Sequence, residues 1–116
     1  MRFSLTAVAL ACITVLGASP VAAQAPDGQA VYRENCRVCH GPAGRPAARM
    51  VTQLPRLPSL ADSTFMRGRS EDSIVAVVRR GAGRDMKGFK DTLSPEEMAA
   101  VARYIKGLGA QAPRTP

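Results

Sequence analysis

The stretch Cys36-Arg37-Val38-Cys39-His40 constrains this chain more than any other. It holds every cysteine beyond Cys12 and the only histidine in the 116 residues. Near a helix end, positions i, i+3 and i+4 project to one side, so the two thiols and the imidazole act together. Three chemistries use such a group: a zinc site, a dithiol redox pair and a haem anchor. A structural zinc site wants four ligands, and no further cysteine or histidine is left to complete one. A thioredoxin-like pair belongs in a strand-helix context, and no strand pattern can be read anywhere in the chain. A disulfide closing so small a loop would stabilise little. C-x-x-C-H reads instead as c-type haem attachment, two thioethers with the histidine held against the iron.

That attachment takes place outside the cytoplasm, which makes the front of the chain informative. "MRFSLTAVALACITVLGASPVAAQ" carries one positive charge at Arg2 and then an apolar run from Phe3 to Ala18. It closes on the small residues Val21-Ala22-Ala23, as a secretory signal does, with cleavage expected after Ala23 and next after Ala25. The apolar run is short for a bilayer span, so no stable membrane span is expected after cleavage. Cys12 reads as filler of the signal peptide rather than a lipid attachment point. Residues 1–23 are thus a signal peptide, 24–109 one domain and 110–116 a flexible tail.

A domain of that size buries little core of its own. After Phe3 leaves with the signal, its aromatic side chains are Tyr32, Phe65, Phe89 and Tyr104, and there is no Trp. Something other than side chains is expected to fill the middle. The formal net charge is +7 and drops by one when Arg2 is removed. An exported basic chain with so few aromatics does not suit nucleic acid; a basic face suits acidic protein partners or anionic surfaces.

Three helices are legible, joined by Gly/Pro-rich connections, so the chain is all-α with long loops. The first starts from Asp27 as N-cap and runs through "GQAVYRENCRVC". The second follows Ser70, has Glu71 and Asp72 at the positive end of its dipole, and stops at Gly81. The third begins at Ser94-Pro95-Glu96-Glu97, an N-cap serine, a first-turn proline and a capping-box glutamate, and continues to Gly107. Met98, Val101, Ile105 and Leu108 form its apolar stripe, with Tyr104 beside it. A short turn is expected around residues 62–66. Loops this long in so small a chain imply that they wrap something.

With His40 on one side of an iron, no second histidine exists for the other. A methionine, a lysine, water or an empty position remain. Met98 belongs to the apolar stripe, Met50 lies close to the motif and Met66 follows the short turn. Met86 stands in a Gly-flanked loop far along the chain from His40, where Gly83 and Gly88 permit close backbone approach.

Taken together, these segments resemble a class I c-type cytochrome over nearly the whole of residues 24–109. "GQAVYRENCRVCHG" is similar to the first helix of that family, and "VARYIK" to its last. The resemblance implies that Gly28 and Tyr32 pack across Val101, Tyr104 and Ile105. "LPRLPSL" is similar to the segment whose proline carbonyl accepts the proximal histidine's ring N–H; Pro55 is the first choice and Pro58 the second. "DMKGFKDTLSPEEMAAVARYI" is similar to the distal stretch, with Met86 as the second axial ligand and Phe89 against the haem, although Lys87 stands where proline is usual.

The fold implied is the small cytochrome c fold, its helices and loops wrapped around one covalent haem c. The function implied is one-electron transfer in the periplasm by a carrier that is no catalyst by itself. Redox proteins with acidic docking surfaces, such as an oxidase, a dehydrogenase or a quinol-oxidising complex, are the expected partners. Arg79, Arg80, Arg84, Lys87 and Lys90 are the candidates for meeting them. The alternatives are a dedicated cytochrome subunit of a dehydrogenase or oxidase, or a haem-based enzyme or sensor if the methionine is labile.

Overall fold

The computed structural model describes residues 17–19 and 23–111. Most of the signal-peptide segment and residues 112–116 of the tail lie outside the described residues. Six α-helices follow one another: α1 Gly28–Asn35, α2 Arg37–His40, α3 Ala48–Gln53, α4 Ser63–Met66, α5 Glu71–Arg80 and α6 Pro95–Gln111. A 3-10 turn, Pro42–Gly44, follows α2, and two-residue strands β1 (Gly81–Ala82) and β2 (Met86–Lys87) follow α5.

The helix starts are set by their capping residues. Asp27 accepts the Gln29 amide at 2.9 Å, and Ser70 accepts the Ser73 amide at 3.1 Å. At α6 both arms of the capping box are made: Glu97 N–H donates to Ser94 Oγ at 3.1 Å, and Ser94 N–H to Glu97 Oε2 at 2.8 Å. Each cap satisfies amides that the helix itself leaves open.

α6 is the spine of the fold. α1, α4 and α5 all pack against it, which buries Met98, Val101, Ala102, Ile105 and Leu108 together with Tyr32 and Val78. Val101 and Ala102 are fully buried, at 0% exposure. Gly28 is what brings α1 so near, because a Cβ there would run into the Ala100 carbonyl and lie 3.2 Å from the Tyr104 Cβ. The Tyr32 and Tyr104 rings meet with centroids 5.2 Å apart at 53°, a tilted contact between the same two helices.

Four expectations are revised. The first helix does not run through Cys39: Asn35 turns its side chain back onto the Val31 carbonyl at 3.0 Å, and Cys36 makes a joint after which α2 resumes. α3, in the segment read as irregular, had no cap or strong apolar stripe to announce it, and none of its residues is buried. The region read as strand-free contains an antiparallel hairpin that pairs Gly81 with Lys87 and Ala82 with Met86. Finally, α6 passes Gly107 and reaches Gln111, taking in Ala110 at the start of the expected tail. Tertiary packing carries it past its glycines. Gly109 is buried against Met66, whose Cγ would sit 2.6 Å from a Cβ at that position.

Candidate functional site

Cys36, Cys39 and His40 are gathered at the α1–α2 joint. The Cys36 carbonyl accepts the amides of both Cys39 (3.2 Å) and His40 (3.0 Å), so one turn of backbone holds all three side chains. Both thiols are free. Cys36 is buried in the core cluster, and burial, with Cys39 beside it, pushes its thiol up to about 11. Among the described residues no group of three or more His, Cys, Asp or Glu side chains is arranged to hold a metal ion.

His40 is held as a neutral imidazole. Burial lowers its pKa from the ordinary 6.5, and the Pro58 carbonyl works in the opposite direction. Nδ1 is buried and makes no hydrogen bond of full distance and angle. Of the two candidate prolines, therefore, Pro58 presents its carbonyl to the histidine, while Pro55 is exposed in the turn after α3. The reason is the course of the backbone: Leu60 N–H and Ala61 N–H both donate to the Gly44 carbonyl, at 2.9 and 3.4 Å, which draws the segment after Pro58 over the turn that follows His40.

Met86 is half-buried on β2 and packs against the same core cluster that contains Cys36. The hairpin carrying it is tied down on both sides. Phe89 is buried, and its N–H donates to the Val78 carbonyl at 2.9 Å, while Lys90 N–H reaches the Arg79 carbonyl at 3.3 Å. Gly88 makes the close approach at this junction: a Cβ on it would lie 2.6 Å from the Arg79 carbonyl oxygen. Its small size thus serves the contact with the end of α5. Gly83 is in the open, with φ +60 at the hairpin tip. Lys87, in place of the usual proline, is in register with Gly81 and sets its Nζ 5.4 Å from the Phe89 ring centroid. Met98 and Met66 are core residues at 3% exposure each, and Met50 is half-buried in α3.

One residue of the site escaped the sequence reading in this role. The Tyr32 hydroxyl donates to the Gly41 carbonyl at 2.7 Å, which links the aromatic of α1 to the backbone just after His40. The signal for it was the pair of glycines in "HGPAG", a tight turn with carbonyls to satisfy, placed after a helix that carries a phenol. The basic residues Arg79, Arg80, Arg84, Lys87 and Lys90 are all exposed.

Comparison with known proteins gives the family. The family model described as "Cytochrome C oxidase, cbb3-type, subunit III" matches residues 23–105. Among curated proteins, the chain is similar to the cbb3-type cytochrome c oxidase subunit FixP of Bradyrhizobium diazoefficiens. The two are 28% identical over 82 residues, covering 71% of this chain and 27% of that one. It is also similar to the subunit CcoP of Rhodobacter capsulatus, 31% identical over 94 residues, covering 75% and 30%. Cytochrome c6 of Nostoc sp. is 30% identical over 106 residues, and the match covers 90% of each chain. The chain therefore spans under a third of those two oxidase subunits but nearly all of cytochrome c6. Among solved structures, the KustC0563 c-type cytochrome superposes with a TM-score of 0.64 at 28% identity, covering 72% of this chain and 98% of that one.

A c-type cytochrome carries haem c, and the residues here fit it: two thiols free of a disulfide, and a half-buried imidazole whose buried Nδ1 has no hydrogen-bond partner. By its match over residues 23–105 and its likeness to cytochrome c6, the chain belongs to the c-type cytochrome family, in the domain described as subunit III of the cbb3-type oxidase.

Proposed function

We propose that the chain is an exported single-electron carrier with one haem c, which Cys36 and Cys39 would hold by thioethers and to whose iron His40 and Met86 would be the protein ligands. The observation that carries the reading is the α1–α2 joint, where two free thiols and a half-buried imidazole share one turn of backbone. When bound, the haem supplies the one-electron couple. The protein residues do the rest. Burial favours the neutral form of His40, which has a ring lone pair to donate, and the Pro58 carbonyl is the acceptor at hand for Nδ1. Met86 offers a thioether sulfur from a tied-down hairpin, and buried Phe89 anchors the end of that hairpin in the apolar core.

With His40 and Met86 both bonded to it, the iron would have no open position for a substrate, which supports passing electrons rather than catalysing a reaction. Residues 1–23 direct export and are removed, and the haem domain begins at Gln24 and includes the whole of α6 to Gln111. Among the described residues, no helix is long and apolar enough to cross a membrane. The exposed cluster Arg79, Arg80, Arg84, Lys87 and Lys90 supports brief docking on acidic redox proteins.

The similarity to FixP and CcoP favours a second reading, a dedicated cytochrome subunit of an oxidase. Gel filtration of the natively expressed protein separates the two: a carrier elutes alone, and a subunit elutes with its complex. Intact mass and a reduced-minus-oxidised spectrum test the site. The expected result is the mass of the chain from Gln24 plus one haem, with the weak far-red band of ferric iron bonded to sulfur, lost in Met86→Ala. A mature periplasmic chain without covalent haem overturns the reading, and survival of that band in Met86→Ala removes Met86 as ligand.

A further inference from the structure

The backbone leaving His40 is in an unusual conformation. Gly41, Ala43 and Gly44 all have positive φ, at +75, +53 and +74. Glycine adopts such backbone freely, but an alanine does so only where the surroundings over-determine it. Tyr32 supplies that restraint. Its hydroxyl donates to the Gly41 carbonyl at 2.7 Å, and the same carbonyl accepts the Gly44 N–H at 3.3 Å, so the phenol bonds to the oxygen that closes the turn. The Gly44 carbonyl then accepts from Leu60 N–H (2.9 Å), Ala61 N–H (3.4 Å) and Ser59 Oγ (3.3 Å). Those bonds fix the strip directly after Pro58, whose carbonyl acts on His40. From one hydroxyl, hydrogen bonds therefore run to the Gly41 carbonyl behind the histidine and, through the Gly44 N–H that shares that carbonyl, to the backbone in front of it.

We propose that Tyr32 is a positioning residue for His40: its hydroxyl locks the Gly41–Gly44 turn and, through the Gly44 carbonyl, the strip 59–61, and so sets the plane of the imidazole and the acceptor for Nδ1–H. The proposal rests on His40 being an axial ligand. It separates the work of the hydroxyl from that of the ring, which packs on Tyr104 and stays in place when the hydroxyl alone is removed. Losing that bond leaves the Gly41 carbonyl with only the longer bond from the Gly44 N–H, at 3.3 Å, and loosens the turn.

The test uses the mature, haem-loaded protein in its reduced state, with proton NMR following two exchange rates. Amide exchange at Leu60 and Ala61 reads the lock itself, and exchange of His40 Nδ1–H reads its consequence. Tyr32→Phe is expected to speed both by roughly tenfold, the scale of one lost buried hydrogen bond. Val31→Ala, which loosens α1 without touching the turn, is expected to lower the melting temperature and leave both rates within about twofold of wild type.

Unchanged rates in Tyr32→Phe, or equal acceleration in Val31→Ala, overturn the proposal. If Tyr32→Phe does not accumulate with haem, Ser59→Ala decides, because it removes one of the three donors on Gly44: a smaller acceleration of the same two rates supports the lock and none refutes it. A wild-type spectrum without histidine ligation refutes the axial reading and the positioning role with it, whereas normal ligation with unmoved rates refutes the positioning role alone.

Discussion

Burial sets the charge states around the attachment motif. It keeps Cys36 a neutral thiol, with its pKa pushed up to about 11, and holds His40 below its ordinary 6.5, so both are uncharged in neutral solution. Tyr32 obeys the same rule, pushed up to about 12 by burial first and by Cys36 second, against the Gly44 backbone. A raised acid retains its proton longer in the folded state than in the unfolded one, so its stabilisation is complete below pH 10.0 and is lost as pH rises toward 12. One of the two tyrosines is therefore expected to ionise only near pH 12, together with a fall in stability between pH 10 and 12. Phenolate absorbance during an alkaline titration checks this, and Tyr32→Phe should abolish the late step. At this scale the thiols and the histidine were legible in five consecutive letters. Pro58 and the Tyr32 hydroxyl were not, because both act through backbone carbonyls, and which carbonyl faces a side chain depends on how the loop is laid down.

Among the elements, those with strong local chemistry were read correctly and those without it were missed. Ser70, Ser94 and the charged first turns announced α5 and α6 by satisfying amides that any helix start leaves open. α3 and the two-residue hairpin have no such signature. The hairpin exists because Gly81 and Gly88 let its backbone lie against the end of α5. Gly88→Ala would push a Cβ to 2.6 Å from the Arg79 carbonyl, so the hairpin must shift and take Met86 with it. The far-red iron–sulfur band is expected to weaken or vanish in that variant although Met86 is still present, and a band of full intensity would show that the hairpin tolerates the change. Gly28→Ala strikes the α1–α6 crossing instead. A backbone carbonyl cannot rotate away as a side chain can, and the cost is expected to be about 2–3 kcal/mol, read from the shift in denaturant midpoint.

For the whole molecule, charge and topology have different consequences. The formal net charge of +7 creates a field rather than a fold. With an acidic redox partner, the second-order electron-exchange rate is expected to fall roughly tenfold as the Debye length shrinks from about 30 Å at about 0.01 M salt to about 8 Å at about 0.15 M. Stopped-flow measurement across that range checks it, and a flat or rising rate would remove the acidic-partner reading.

The sequence alone determined the cytochrome c family, through its C-x-x-C-H motif, and the main capped helices, because each of these is decided within a few neighbouring residues. Tertiary structure decided which proline faces His40, that α6 continues past its glycines to Gln111, that Met86 stands on a paired hairpin, and that a phenol on α1 bonds to the turn behind the histidine. Each of those depends on two segments meeting that are far apart in the chain. Such a meeting is set by the packing of α1, α4 and α5 on one central helix, not by the local preferences of the residues that take part.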